Sequence, residues 1–236
     1  MQKTRIETFD FTWNPLGWGC WGPGGSAKSP KRCWFCYAKR FADRGMSKCE
    51  KCSAFEPHFH PERGGEPAKL QKPSRIFVCD MSDPFGDWVP RWQIELILDV
   101  ALGNLRHTFF FLTKQPWNMA EFAFPRNSWV GATITRQEDV ARAFDIASLS
   151  PQRVKGKRFL SIEPLLSSIV IPQSLLRCFD WIIIGALTGY GESALNIWPW
   201  VRDLTRDCLE ANVPVFHKNS LLPLLGGDSL WRRDLP

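Results

Sequence analysis

The chain has 236 residues, 44% of them hydrophobic, and a formal net charge of +6. That length admits one α/β domain or two small ones. No apolar run approaches the roughly 20 residues that would span a bilayer. The mild excess of Lys and Arg permits a polyanionic partner without demanding one. The polar start, Met1 to Asp10, lacks the apolar core of a signal peptide, so a cytoplasmic protein with no membrane partner is expected.

In chain order, residues 8–13 alternate apolar and polar and predict a first strand. A Gly/Pro-rich loop follows, and residues 37–44 then read as a short helix stopped by Gly45. Residues 46–72 break the rhythm with Cys49, Cys52, His58 and His60, and read as an insertion packed near that loop. From Arg75 strands and helices alternate. Strands are expected at 75–79, 108–112, 128–134, 158–162, 181–185 and 214–217. Helices are expected at 91–102, 116–122, 136–149 and 199–211, the first with an apolar face through Trp92, Leu96, Ile97, Val100 and Ala101. The tail, 221–236, is expected to be irregular. About seven strands joined by helical crossovers predict an α/β fold, a (β/α) barrel or partial barrel, as a single domain over 1–236 with an insertion at about 46–72.

Eight cysteines do not suit a disulfide scaffold in a cytosolic chain with its own core. Two Cys-x-x-Cys pairs read as metal ligands, whereas Cys79, Cys178 and Cys208 sit in apolar surroundings and are expected as buried small hydrophobes. Cys20, Cys33 and Cys36 lie in a loop with Gly22, Pro23, Gly24, Gly25 and Pro30, which has little structure of its own. Thiolates converging on a metal would order it. Three thiolates leave one coordination position open, whereas four close the site. A second count stays open: Cys33-x2-Cys36-x12-Cys49-x2-Cys52 is close to a zinc ribbon and leaves Cys20 idle. A third has Cys49 and Cys52, with His58 or His60, on a separate zinc ion. Twelve tryptophans fill a core in the simplest reading, although aromatics also stack on bases.

Several stretches together carry a family resemblance. They are Thr12-Trp13-Asn14-Pro15, Gly19-Cys20, Cys33-Trp34-Phe35-Cys36-Tyr37-Ala38, Met81-Ser82-Asp83-Pro84-Phe85, Phe111-Leu112-Thr113-Lys114 and Ser161-Ile162-Glu163-Pro164. They resemble a phage-associated radical-SAM-like family of unknown function, more distantly like spore photoproduct lyase. Cys33 to Cys36 matches the second half of the radical S-adenosylmethionine (SAM) cysteine motif, with Phe35 as its aromatic, and the first gap is longer than usual. The resemblance implies a [4Fe–4S] cluster on Cys20, Cys33 and Cys36, with SAM on the open iron. It also implies a reductant protein and reductive cleavage of SAM to methionine and a 5′-deoxyadenosyl radical.

Active sites of such barrels lie at the C-terminal strand ends. On that footing Asp80, Ser82 or Asp83 would accept the SAM amine, Lys114 would meet its carboxylate and Phe35 would lie near adenine. Glu163, Lys114 and His217 become substrate-side catalytic candidates, with Thr188 and Glu192 after the sixth strand. Plain turns are the competing reading of Asp83-Pro84 and Glu163-Pro164, and a structural hydrogen bond that of His217. A nucleotide or nucleic acid is the candidate substrate class. The alternative is a zinc-binding, nucleic-acid-binding module without catalysis.

Overall fold

The computed structural model describes residues 1–190, 196–225 and 229–235; Glu192 lies outside them. The strands are β1 (Gln2–Lys3), β2 (Phe11–Trp13), β3 (Arg75–Val78), β4 (Thr108–Thr113), β5 (Ser128–Thr133), β6 (Lys157–Ile162), β7 (Trp181–Ile184) and β8 (Val215–His217). Strand order follows chain order in one sheet, with β1 and β8 as its two end members. The fold is therefore a mixed α/β fold with eight strands in an open order, and not the closed barrel that was one of the two expected forms. β1 is the strand the sequence did not announce: two exposed residues have no apolar alternation to read. Among the described residues no helix is long and apolar enough to cross a membrane.

The chain divides into two compact units, Met1–Val130 with Ser150–Gly156, and Gly131–Leu149 with Lys157–Pro236. In the first, β2, β3 and β4 run parallel, with Trp13 opposite Val78 and Val78 opposite Phe111, and β1 joins β2 antiparallel. Phe109, Phe110 and Phe111 are all buried, as a parallel strand covered on both faces requires. Helix α3 (Arg91–Gly103) buries Ile94, Ile97, Leu98 and Ala101, an i, i+3, i+4, i+7 stripe. The expected face was wrong at two positions, since Trp92 is 53% exposed and Leu96 46%. This helix carries apolar residues on more than one side, so periodicity alone could not choose between stripes. Helix α1 (Tyr37–Asp43) ends as expected before Gly45, whose φ of 64° is the left-handed conformation glycine adopts at a helix end. The insertion folds as a one-turn helix α2 (Glu50–Ser53) and two short 3-10 turns.

In the second unit β6, β7 and β8 are parallel, with Phe159 opposite Trp181 and Ile184 opposite His217. The helix expected over 136–149 begins as a 3-10 turn, Gln137–Val140, before α4 (Ala141–Ser148). A short α5 (Gln173–Leu176) was not foreseen, and α6 (Trp198–Glu210) carries Pro199 in its first turn, where a missing N–H costs nothing. The described parts of the tail are more ordered than expected. Asn219–Leu224 form a 3-10 helix, Arg233 bridges Phe216, and the Asp234 carboxylate accepts from the Val215 amide. Cys79 and Cys208 are buried as expected, but Cys178 is exposed, because α5 ends before it and turns it outward.

Phe159 is fully buried against Trp181, and Gly131 leaves the space its ring occupies, since a Cβ there would stand 2.6 Å from it. Phe159→Ala should cost about 3–5 kcal/mol in denaturant unfolding. A loss below about 1 kcal/mol would mean this core collapses around the void.

Candidate functional site

The thiol loop begins where β2 ends. The Asn14 side chain donates to Asp80 Oδ1 (2.7 Å) and accepts from the Met81 amide (3.2 Å), so it joins the tips of β2 and β3. The Gly19 amide donates to the Met81 carbonyl at 3.2 Å, and Gly19 forms a parallel bridge with Ser82. Cys20 follows directly. The loop then doubles back: Lys31 N–H donates to the Trp21 carbonyl at 2.6 Å. A Cβ on Gly22 would meet the Lys31 carbonyl at 2.0 Å, and one on Gly25 the Trp21 carbonyl at 2.1 Å. Backbone contacts therefore shape this loop in addition to any metal of the kind the sequence suggested would order it.

The return brings Cys33 to the start of α1, where Cys36 is the N-cap and its Sγ accepts from the Lys39 amide at 3.4 Å. Cys20 Sγ accepts from the Gly22 amide at 3.3 Å. Cys20 and Cys36 pack on one apolar cluster of Ala38, Ala42, Phe55 and Met81. Burial pushes the Cys20 thiol up to about 12, the Asp83 charge adds to this, and Gly22 and Lys114 oppose it. Burial likewise raises Cys36, with the Lys39 amide opposing and the Cys33 charge adding. Cys36 thus interacts with both Cys20 and Cys33, and the Lys114 ammonium acts on Cys20 and Cys36. Without a cation the Cys20 and Cys36 thiols stay protonated, and a bound metal inverts that preference. Three soft sulfurs, two with N–H···S bonds, fit an iron–sulfur cluster or zinc by donor chemistry.

Asp83 is buried and fully engaged. Its carboxylate accepts from Thr113 Oγ1 (2.6 Å), the Lys114 amide (2.9 Å) and the Phe85 amide (3.1 Å), which ties the β3 turn to the end of β4. Thr113, which the sequence did not single out for this, completes the clamp. Asp80 is half-buried below Tyr37, whose hydroxyl donates to the Asp80 carbonyl. Phe35 is half-buried edge-on to Trp34, which is 59% exposed.

Burial pushes the Asp80 carboxyl up to about 6, against hydrogen bonds from Asn14 and Thr12. Its folded value lies above the ordinary 3.8, so stability should fall as pH rises from about 4 through about 6. Asp80→Asn keeps the acceptor for Asn14 and should flatten that decline by on the order of 2 kcal/mol. Urea unfolding of both proteins across this pH range checks the slope. Parallel curves would place Asp80 in ordinary solvent.

In the second unit, Glu163 follows β6 and Lys218 follows β8, and Lys218 Nζ lies 2.9 Å from Glu163 Oε2. Gly185, at the end of β7, makes room for the pair, since its Cβ would stand 2.8 Å from Glu163 Oε1. A glycine directly after an apolar strand was the available sequence signal for this close approach. His217 is fully buried between Trp198 and Trp231. The Arg232 amide donates to its Nδ1 (3.1 Å), so Nε2 carries the proton and donates to Thr205 Oγ1 (2.8 Å), which donates to the Val201 carbonyl. Both ring nitrogens are thus committed to structural partners. Lys218→Met should cost about 1–2 kcal/mol, and adding Glu163→Gln should recover most of it, because the penalty is a stranded carboxylate. Unfolding of the double-mutant cycle measures this, and two additive losses would show that the pair is not coupled.

The remaining Cys-x-x-Cys pair converges on imidazoles. The ligand atoms of Cys49, Cys52, His58 and His60 all lie within 4.8 Å of one another. This is a different set from the ribbon count through Cys33 and Cys36, because His58 and His60 take the two places that count gave them.

The family described as "Protein of unknown function (DUF5131)" matches residues 3–220. Among solved structures the chain is similar to a spore photoproduct lyase variant with bound AdoMet and dinucleoside spore photoproduct, with a TM-score of 0.51 and 10% sequence identity. The similarity covers 87% of this chain and 62% of that one, so the chain spans less than two thirds of that protein's length, and it is a likeness of fold. No curated protein matches.

Proposed function

The chain belongs to the DUF5131 family, and for this member we propose a radical-SAM-type iron–sulfur enzyme built on a partial (β/α) barrel. In this reading Cys20, Cys33 and Cys36 hold a [4Fe–4S] cluster, with SAM at its open iron. One observation carries the proposal: the half-buried Cys20 and Cys36 thiols pack on one apolar cluster after β2, and Cys33 lies in the field of Cys36. Its fold likeness to a protein solved with AdoMet supports it. When bound, the pair supplies one-electron reductive cleavage of SAM, fed by a reductant protein.

This chain's own residues do the rest. The Gly22 and Lys39 amides donate to two of the sulfurs, and the Lys114 ammonium offsets thiolate charge. Asp83 fixes the Lys114 backbone, so Asp80 and Ser82 are the better acceptors for the methionyl amine. Lys114 also suits the methionyl carboxylate, and Phe35 the adenine. Glu163, paired with Lys218, offers substrate a carboxylate whose counter-ion is already in place. His217 then positions the end of β8 rather than exchanging protons. A nucleotide or nucleic acid suits the +6 charge and the exposed Trp34 beside the loop.

Anaerobic reconstitution with iron and sulfide, followed by EPR with and without SAM, is the test. A brown protein whose reduced signal shifts on adding SAM, and a Cys20→Ala variant that takes up no cluster, are expected. A colourless wild type that holds zinc alone and binds DNA or RNA in a salt-sensitive way would replace this reading with a non-catalytic zinc module. The Cys49, Cys52, His58 and His60 group is the observation that favours that second reading.

A further inference from the structure

We infer that Cys49, Cys52, His58 and His60 hold one zinc ion, and that this ion is the clasp fixing the strap that presents Cys20. The site half of this inference is independent of the cluster. The clasp half rests on the strap leading to the thiol loop described above.

The second contacts of the two imidazoles set their tautomers. His58 Nδ1 lies 2.7 Å from the Glu56 carbonyl and His60 Nδ1 2.7 Å from the Glu62 carboxylate, and both oxygens only accept. Each Nδ1 therefore carries the proton and each Nε2 a lone pair, the arrangement that second-shell oxygens impose on metal-bound histidines. Yet the two Nε2 atoms face each other at 2.8 Å. A shared proton would satisfy the nitrogens alone. Cys49 Sγ and Cys52 Sγ also lie 3.5 Å from His58 Nε2, and Cys52 Sγ lies 3.5 Å from His60 Nε2. Four donors thus converge on one another.

The spacing and the donor set fit zinc. Zinc–sulfur bonds of about 2.3 Å and zinc–nitrogen bonds of about 2.0 Å put tetrahedral S and N corners about 3.5 Å apart. Three of the four sulfur–nitrogen pairs here are 3.5 Å apart, and the fourth lies within 4.8 Å. The nitrogen pair sits about half an ångström inside the same tetrahedron and opens by that much around the ion. Two thiolates and two imidazoles, with no open position, make a structural zinc site rather than a hydrolytic one.

The ligand segment is also what the strap rests on. A Cβ on Gly17, which has φ of 60°, would meet the His58 ring at 2.5 Å, and one on Gly19 would meet the Glu56–Pro57 peptide at 2.4 Å. His60 N–H donates to the Pro15 carbonyl (2.7 Å), Arg63 Nη1 to the Asn14 carbonyl (3.0 Å) and Trp13 Nε1 to the Arg63 carbonyl (2.9 Å). Holding residues 56–60 on an ion thereby holds residues 13–19, and Cys20 is the next residue.

The experiment counts zinc by mass spectrometry in protein purified without added iron, in wild type and in Cys20→Ala, Cys52→Ala and His60→Ala. About one zinc per chain is expected in wild type and Cys20→Ala, with at least a tenfold loss in the other two. Should those two fail to fold, cobalt(II) exchanged into wild type reports the same site through tetrahedral d–d bands and thiolate charge transfer. Absence of zinc from wild type, its retention in Cys52→Ala, or six-coordinate cobalt overturns the site. For the clasp, chelator removal of zinc from wild type should speed tryptic cleavage after Arg63 several-fold and lower iron uptake on reconstitution. An unchanged cleavage rate overturns the clasp. Wild type that binds zinc but takes up no iron overturns the radical-SAM reading and leaves the zinc site standing.

Discussion

The first unit depends on a single amide side chain. Asn14 leaves β2 and satisfies two groups at the tip of β3, the Asp80 carboxyl and the Met81 amide. A backbone leaving a parallel strand has unpaired groups that must find partners. Asn14 supplies them, and the strap that follows is carried across β3 to meet Ser82 through Gly19. Cys20 has its place because of this crossing. The Asp83 clamp repeats the logic one strand further on, where one carboxylate satisfies two amides and a hydroxyl. These tips are polar because strand ends need donors and acceptors, and the same groups are then available to chemistry.

Two groups of cysteines with different electrostatic surroundings lie within this unit. The Cys20, Cys33 and Cys36 set is balanced by one ammonium, Lys114, and by backbone N–H groups. The Cys49 and Cys52 set faces two imidazoles, and burial holds His58 below its ordinary value. Soft donors with an outside countercharge suit a multi-iron group, whereas two sulfurs and two imidazoles suit a single divalent ion.

Much of this was legible in the sequence, and the reasons differ by element. The strands at Phe109–Phe111 and Trp181–Ile184 announce themselves as apolar runs that only a doubly covered sheet accommodates. Gly45 marks the end of α1 because few other residues adopt its φ. The cysteines stand out by spacing. What stayed hidden were partnerships between distant residues, Lys218 with Glu163 and Thr113 with Asp83; the grouping of Cys49 and Cys52 with His58 or His60 was one of three metal counts the sequence left open. Spacing could not choose between the ribbon and the Cys/His set, because the choice is made by the fold of the segment that brings the His58 and His60 ring nitrogens to within 2.8 Å of each other. The buried stripe of α3 escaped for another reason, since Trp92 and Leu96 are apolar residues that the fold leaves at the surface.

The doubled-back loop between Cys20 and Cys33 carries a practical consequence. Its path is fixed by the Lys31–Trp21 hydrogen bond and by peptide groups lying where Gly22 and Gly25 have no side chain. None of these contacts involves sulfur. The cradle is therefore preorganised, and its thiols can be oxidised or emptied while the backbone around them keeps its course. Circular dichroism, melting temperature and solubility would all report a sound protein whose sulfur chemistry had already been lost to air.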